Sequence, residues 1–514
     1  MPYARPWEAC MEWSKTYDSD IIHLNLAGTS VVVLSSLEAT EMLLNKRSSI
    51  YSDRPSLPMV GDLMGWNFAL VFMKYGEEWR THRRLFNQEF NMGAVPKFHH
   101  AERVAAHALT SDSAMVGEVI VSVAYGIDVL PVNDPYVALA EEAAESAAGA
   151  AVPGRFFVDS IPVLKYVPEW FPGADFKRVA REGRLLSQAI KEIPFAETKR
   201  RMVTGDAKSC FTANALRELE SGDKYYQEST VQNVAAMMYA AGADTTTAAL
   251  STFFLAMLTN PDAQKKAQQE IDSVVVRGHF SDFGDERQMP YVAALVKEVL
   301  RWRNATPLGA PHFLEVEDMY RGYRIPAKSI ILANIWAISH DERMYPDHDD
   351  FKPERFLDGK LDDPSRNAQP AFGFGRRICP GRHMATSSIW ITVVSILAMF
   401  DITKEIGEDG QPIEPSYEYG GGLIFPPTIL LPSLVITPPR VAFGARLCDC
   451  EARRVLVDKS LNQSDPRHAR PINGVNVVTF THFINVGLFL GLLPYSKVLV
   501  IKPNAMPLPT KKVQ

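Results

Sequence analysis

One cysteine in a glycine-rich, basic loop is the residue of this chain best placed for chemistry. Cys379 follows two glycines and two arginines, and Gly381 comes two residues later. The apolar run 385–400 then predicts a buried helix, so Cys379 lies near a helix N-terminus. Unpaired backbone N–H groups, the helix dipole and the guanidinium charges favour the thiolate there. A thiolate held in this way is a metal ligand. We expect Gly373, Gly375 and Gly381 to take positive φ and to let a flat cofactor approach the backbone.

A lone cysteine in an apolar setting is more often a packed core residue than a ligand. The surrounding pattern changes that interpretation. Phe372, Gly375, Arg377, Cys379 and Gly381 resemble, at every position, the haem-thiolate loop Phe-x-x-Gly-x-Arg-x-Cys-x-Gly of the cytochrome P450 family. The resemblance implies that Cys379 is the axial ligand of the iron of haem b, and that the loop binds this cofactor.

Two further segments are candidates for cofactor binding. Trp79 and Arg83 are four residues apart on a predicted helix and therefore project from one face. A charged surface helix is the alternative, but the pair resembles the Trp-x-x-x-Arg of the family, which implies that both side chains reach a haem propionate. By the same resemblance, the segment that begins at Thr306 ends in a propionate ligand at His312.

Residues 232–258 predict a long apolar helix. Its middle contains residues that are unfavourable inside a buried helix. Gly242, Asp244 and the threonines that follow are unfavourable there, because glycine costs roughly 1 kcal/mol and an unpartnered carboxylate costs more. A threonine hydroxyl can bond back to a carbonyl and open the helix. The resemblance identifies this opening as the dioxygen groove, with Asp244 and Thr245 as a proton relay. A structural kink without chemistry is the alternative.

Two short motifs carry a predicted structural network. Glu298 and Arg301 are three residues apart on a predicted helix, 291–302, and such a pair alone is common on helix surfaces. A Pro-Glu-Arg-Phe segment follows downstream and contains Arg355. The family resemblance implies that Glu298, Arg301 and Arg355 pair beneath the haem.

The predicted substrate pocket draws on four separate segments. It comprises Phe68 in an apolar loop, Ala241 on the central helix, Thr306 and Leu308 before His312, and Leu423 near the end of the family pattern. The loop around Phe68 could equally be a packed surface loop. The remaining assignments rest on the resemblance.

The composition describes a large folded chain, with 46% hydrophobic and 22% charged residues among 514. A formal net charge of -6 argues against nucleic acid as a partner. The five cysteines show no disulfide framework and predict a reducing compartment. Cys448 and Cys450 are too close together and lack the partner histidines of a zinc site.

The resemblance implies a mainly α-helical fold with a small β-rich lobe, the cytochrome P450 fold, over residues 1–440. Residues 441–514 depart from the family pattern and are predicted to be a poorly ordered tail. Charges interrupt residues 1–26, so we expect the N-terminal membrane anchor of fungal microsomal relatives to be absent. The family pattern also looks clipped at 109–116.

The implied reaction is a haem monooxygenation. One atom of O2 enters a small lipophilic substrate of polycyclic aromatic, steroid or terpenoid type, in secondary metabolism or xenobiotic oxidation. Segments 75–90 and 298–341 are similar to the fungal group of O-methylsterigmatocystin oxidoreductase. The chain has no dinucleotide-binding fingerprint, so electrons are expected from NADPH through NADPH-cytochrome P450 reductase. Arg376, Arg382, His383 and Lys352 form a predicted basic docking face for it.

The family resemblance places the enzyme at the cytoplasmic face of the endoplasmic reticulum, or in the cytoplasm if the anchor is absent. Two other functions remain open. One is a haem-thiolate peroxygenase or isomerase, which needs no reductase, and the other is an inactive haem-binding product of a damaged gene model. Asp244 and Thr245 favour the monooxygenase over the isomerase.

Overall fold

The computed structural model describes residues 5–26, 28–108, 115–130, 133–152, 154–222, 225–276, 279–357, 370–415, 417 and 435–437. The α-helices are α1 (Pro6–Thr16), α2 (Leu37–Thr40), α3 (Ser48–Tyr51), α4 (Glu77–Phe90), α5 (His99–Ala108), α6 (Met115–Tyr125), α7 (Pro135–Ala150), α8 (Phe157–Ser160), α9 (Asp175–Thr204), α10 (Phe211–Glu220), α11 (Glu228–Thr259), α12 (Pro261–Val274), α13 (Pro290–Trp302), α14 (Ile335–Ser339) and α15 (Arg382–Met399). The strands are β1 (Ile21–Leu26), β2 (Thr29–Leu34), β3 (His312–Leu314), β4 (Asp318–Tyr320), β5 (Tyr323–Ile325), β6 (Ser329–Ala333), β7 (Asp401–Thr403) and β8 (Val435–Thr437).

The 32-residue helix α11 runs through the centre of the helical region. Its N-terminus is fixed by a capping box between Gln227 and Thr230. Helices α4, α6, α7, α9, α10, α13 and α15 all pack against it. Because α11 has neighbours on most sides, it is apolar around most of its circumference, as a buried helix must be. Helix α15, which follows Cys379, is buried in the same way.

The β-rich lobe is a four-stranded sheet in the order β1-β2-β6-β3. Strands β1 and β2 form the antiparallel hairpin that the sequence predicts, and β6 pairs with β2 in parallel and with β3 in antiparallel fashion. The Ser36 side chain accepts a hydrogen bond from the Ala39 N–H at 3.1 Å and so begins α2. A π-helical segment, Glu41–Lys46, continues α2 and was not predicted.

The observed elements agree with the predicted mainly α fold with a small β lobe. None of the helices within the described ranges is both long and apolar enough to cross a bilayer. Three predictions lie largely or wholly outside the described residues: the clipped segment at 109–116, the turn that contains Leu423, and the tail 441–514.

Candidate active site

The loop that carries Cys379 is held by backbone geometry. The Cys379 N–H donates to the Phe372 carbonyl at 2.8 Å. Gly375 has φ +58, and a Cβ at this position would overlap the carbonyl oxygen of Leu44, so only glycine fits. Gly373 also has positive φ, whereas the prediction for Gly381 was wrong. Its φ is -86, because it is the N-cap residue of α15.

The sequence analysis expected the surroundings of Cys379 to favour the thiolate, but in the structure the net shift favours the thiol. Burial raises the pKa of the Cys379 thiol. The backbone N–H groups of Gly381 and Arg382 and the charges of Arg83 and Arg382 act in the opposite direction but do not outweigh burial. The helix N-terminus and the arginines therefore assist the thiolate without being sufficient for it. A cationic metal bound by the sulfur would favour the thiolate.

Cys379 opens into a large cavity between α11, α15 and the β-rich lobe. Most of the described wall is apolar, as at Phe86, Phe90, Ile120, Ala249, Leu300 and Ile335. The predicted residues that share this wall are Trp79, Arg83, Ala241, Thr245, Thr306, His312, Phe372, Arg377, Cys379 and Gly381. Segments as far apart in sequence as α4 and α15 thus meet around one space.

Trp79, Arg83 and Arg377 form a stacked group in this wall. The Arg377 guanidinium lies 4.5 Å from the centroid of the Trp79 ring, and that of Arg83 lies 5.9 Å from it. Arg377 donates to the carbonyls of Ser52, Leu70 and Met73 at 2.6, 3.0 and 2.9 Å. Burial lowers the pKa of both arginines to about 10. One buried cation, Arg377, and one half-buried cation, Arg83, therefore face the cavity.

A third arginine of the wall, Arg54, is buried and was missed by the sequence analysis. It donates to the carbonyls of Ala310 and Pro311 at 2.8 and 2.5 Å, while its Nε has no hydrogen-bond partner. Burial and the Arg377 charge lower the pKa of Arg54 far below its usual value. The Nδ1–H of His312 donates to the Tyr51 carbonyl at 2.8 Å, and burial lowers the pKa of this imidazole.

The donor set of the cavity fits a haem. Arg54 and Arg377 are buried and Arg83 is half-buried beside them, and such cations are costly unless an anion pairs with them. The carboxylate in the described wall is Glu102, which already accepts hydrogen bonds from Ser387 and another serine of α15. The two propionates of a haem would supply the absent negative charge.

Glu102 was also missed by the sequence analysis. Its side chain is only 1% exposed and joins α5 to α15 through hydrogen bonds of 2.6 Å from the hydroxyls of Ser387 and Ser388. Burial raises its pKa to about 7. The alanine-rich segment around Glu102 carries no motif, so no pattern in the sequence indicated this contact.

Thr245 and Asp244 point in different directions from α11. Thr245 lines the cavity, and its hydroxyl donates to the Ala241 carbonyl at 2.8 Å, which is the bond back to the helix that the sequence suggested. Helix α11 nevertheless continues without interruption through these residues. Asp244 does not line the cavity, and burial together with the charges of Glu141 and Glu145 on α7 raises its pKa to about 7.

Glu298 pairs with two arginines below the cavity. Its carboxylate lies 2.6 Å from Arg301 Nε and 3.1 Å from Arg355 Nε, and it is fully buried. Arg301 also donates to the Ser339 carbonyl at 2.7 Å. The network therefore ties α13 to α14 and to the Pro353–Phe356 turn.

Two of the predicted pocket residues do not reach the cavity. Phe68 stacks on Trp66, with ring centroids 5.3 Å apart, and it is Trp66 that lines the wall. Leu308 lies on the tight turn whose neighbouring residues, Thr306 and Gly309, face the cavity instead. Leu423 lies outside the described residues.

A mainly helical fold that places a cysteine, buried cations and a helix hydroxyl around one apolar cavity defines a haem-thiolate protein. A sequence model described as Cytochrome P450 matches residues 3–431. Cytochrome P450 monooxygenase 98 of Postia placenta is 43% identical over 442 residues, which cover 83% of this chain and 85% of that protein. The chain belongs to the cytochrome P450 family and is a haem-binding monooxygenase.

Other relatives and solved structures agree with this assignment. Tryptamine 4-monooxygenase of Psilocybe cyanescens is 38% identical over 431 residues, which cover 80% of this chain and 85% of that protein. A zebra fish cytochrome P450 solved with progesterone has a TM-score of 0.70 at 22% identity, and covers 85% of this chain and 100% of its own. At that identity the structure supports the fold alone.

Proposed function

We propose that the protein uses O2 and electrons from NADPH to oxygenate a small, uncharged, lipophilic substrate of polycyclic aromatic, steroid or terpenoid type. The observation that carries this proposal is the shared wall, which places Cys379 and the Thr245 hydroxyl around one largely apolar cavity. Haem bound there supplies the reductive activation of O2, with one oxygen atom going to the substrate and the other to water.

The residues of the chain have separate tasks in this reaction. Cys379 would hold the iron, and Arg54 and Arg83 would hold the propionates and so fix the plane of the cofactor. A propionate beside His312 would favour the imidazolium form, in which Nε2–H donates to it while Nδ1–H stays on the Tyr51 carbonyl. The Thr245 hydroxyl, which now donates to the Ala241 carbonyl, can turn to donate into the cavity. Asp244 would return the proton from the α7 side of the same helix turn.

The described wall favours a neutral substrate. An apolar wall excludes water, so binding is stronger for a substrate that buries more apolar surface against it. A substrate ammonium would need an ionised carboxylate. The Oε1 of Glu102 accepts from Ser387 and Ser388 while its Oε2 has no hydrogen-bond partner, but burial raises the pKa of this carboxyl to about 7, which weakens it as a counter-charge, and Asp244 does not line the cavity. We therefore expect neutral polycyclic compounds to bind more tightly than amines such as tryptamine.

The electrons are expected to come from NADPH-cytochrome P450 reductase at the cytoplasmic face of the endoplasmic reticulum. Family membership supports a reductase, and the exposed Arg80 and Arg376 support a basic docking surface near the Cys379 loop. Cell fractionation of the native host would test the location.

The decisive experiment combines spectroscopy with turnover. Purified protein, reduced under carbon monoxide, should show the red-shifted Soret band of thiolate ligation, and Cys379→Ser should lose it. With reductase, NADPH and isotopically labelled O2, the wild type should put one labelled oxygen atom into a neutral polycyclic substrate. Product formation from peroxide alone, with none from NADPH and reductase, would contradict the proposed monooxygenase and indicate a peroxygenase.

A further inference from the structure

A second group of metal-ligating side chains lies outside the haem cavity. His340, His348 and Asp349 meet where α14 ends and the loop 341–352 begins, and one ligand atom from each lies within 4.8 Å of the other two. None of the three lines the cavity that contains Cys379. The monooxygenase reaction makes no use of them.

His340 is oriented as a metal ligand. Its ring stacks on Trp336, with centroids 3.9 Å apart, and its Nδ1–H donates to the Trp336 carbonyl at 2.9 Å. This bond fixes the tautomer, so Nε2 carries a lone pair. The side chain is only 5% exposed, yet Nε2 has no hydrogen-bond partner. A buried acceptor without a donor is unfavourable unless another group binds it.

His348 and Asp349 face His340 from the loop. The His348 ring meets that of His340 edge to face, at 5.3 Å and 70°. Its Nδ1 has no hydrogen-bond partner and lies 3.3 Å from Asp349 Oδ1. Adjacent ligands at about 2.0–2.1 Å from a tetrahedral zinc are about 3.3–3.4 Å apart, so these two atoms already have the required spacing.

The backbone of the loop is held independently of these side chains. The His348 carbonyl accepts from Arg301 at 3.0 Å, and the Asp349 carbonyl accepts from the Trp302 indole at 2.7 Å. Both donors belong to α13. The backbone that carries the two side chains is therefore fixed before any ion binds, so only the side chains have to be ordered on binding.

The charges around the cluster can accept a cation. Arg301 and Arg303 are positive groups near His340. Glu298 holds Arg301 through two hydrogen bonds of 2.6 and 2.8 Å, and Arg303 lies over the Trp336 ring at 5.1 Å from its centroid. On the solvent side, Asp349 and Glu342 are two carboxylates next to His348. Asp349 is 78% exposed, so water and an ion have access to it.

The geometry points to a zinc site formed by Nε2 of His340, a ring nitrogen of His348 and the carboxylate of Asp349, with water as the fourth ligand. Two imidazoles and one carboxylate are ligands that zinc accepts, whereas magnesium and calcium prefer oxygen alone. Bound zinc would join the end of α14 to the loop 341–352, directly beside the network of Glu298.

The test uses the haem-loaded protein after treatment with a chelator. Zinc ions are titrated in competition with a colorimetric chelator, and X-ray absorption at the zinc edge identifies the ligands. The variants are His340→Gln, His348→Ala and Asp349→Asn. His100→Ala, at an exposed histidine of α5, is the matched control. The haem content and the carbon monoxide band show that each variant is folded.

We expect the wild type and His100→Ala to bind one zinc per chain through nitrogen and oxygen, with a rise in Tm of a few degrees. His340→Gln, His348→Ala and Asp349→Asn should each lose more than about tenfold in affinity and show no rise in Tm. No binding by the wild type, equal binding by His348→Ala, or sulfur ligands at the zinc would each overturn the proposal. Sulfur would place the ion on a cysteine, away from this cluster.

Discussion

The hydroxyl of Thr245 belongs to the described wall of the cavity. It can donate either to the Ala241 carbonyl or to a group bound in the cavity. In the structure it donates to Ala241, four residues earlier on α11. During turnover the same hydroxyl can donate into the cavity, where the apolar wall otherwise excludes proton donors. When the Thr245 hydroxyl does not donate into the cavity, its hydrogen bond to the Ala241 carbonyl keeps it from being a buried donor without an acceptor.

Removal of the Thr245 hydroxyl should uncouple NADPH oxidation from product formation. Electron delivery does not depend on it, so Thr245→Val should still oxidise NADPH but release hydrogen peroxide in place of product. We expect the yield of product per NADPH to fall by about tenfold or more. Thr245→Ser keeps the hydroxyl and is the control. Wild-type coupling in Thr245→Val would assign the residue to helix packing.

Asp244 gives the proton relay a dependence on pH. Burial and the carboxylates of Glu141 and Glu145 raise its pKa to about 7, so the acid form dominates at pH 6 and the carboxylate at pH 8. If the acid form donates, product per NADPH should fall as the pH rises through about 7. Asp244→Asn should turn over slowly, with no step near pH 7. A wild-type yield that is constant between pH 6 and 8 would contradict this role.

At the scale of single residues, Arg54 is a cavity residue that the sequence could not predict. Cys379 and Thr245 could be identified because fixed local spacing surrounds them. Arg54 has no such pattern, and its partners, Ala310 and Pro311, are more than 250 residues further along the chain. The prediction that Phe68 lines the pocket was wrong for a related reason. The pattern of an apolar loop does not determine which of the two stacked rings, Trp66 or Phe68, faces the cavity.

At the scale of elements, the network of Glu298 predicts a local weakness. Its carboxylate is fully buried and serves Arg301 and Arg355 together. Glu298→Gln would leave two cations with no buried counter-charge, and breaking such a pair costs about 3–5 kcal/mol. We expect a loss of this size in the free energy of unfolding by urea, accompanied by loss of haem.

An exposed ion pair provides the contrast. Arg343 pairs with Asp341 at 2.6 Å, but its side chain is 82% exposed. Arg343→Ala should change the free energy of unfolding by only about 0–1 kcal/mol, since water replaces much of the interaction. Equal losses in Glu298→Gln and Arg343→Ala would show that the buried network does not fasten α13 to its neighbours.

Whole elements were more predictable than their details. The apolar lengths of α11 and α13 exceed those of any strand, so both helices could be predicted to within four residues at each end. The β1–β2 hairpin followed from two short β-branched runs. The parallel pairing of β2 with β6 could not be derived locally, because these strands are separated by almost the whole helical region.

At the scale of the molecule, electron delivery depends on the surface beside the Cys379 loop. Lys352 was expected to contribute to this face, but it pairs with Asp347 and Asp350 at 2.8 and 2.9 Å. Arg80 and Arg376 are exposed and flank the ring of Tyr75, at 5.7 and 5.4 Å from its centroid. The positive charge available to an acidic flavin domain therefore lies around Tyr75.

This arrangement predicts how salt affects turnover. Long-range attraction mainly raises the association rate, and salt screens it over about 10 Å at 0.1 M. Reductase-supported turnover should therefore fall as salt rises, whereas peroxide-supported turnover should not. Arg80→Glu and Arg376→Glu should each slow the first reaction at low salt and weaken its salt dependence, while Lys352→Gln should resemble the wild type because its charge is already paired. A larger effect in Lys352→Gln than in Arg376→Glu would move the docking surface away from Tyr75 and toward the loop 341–352.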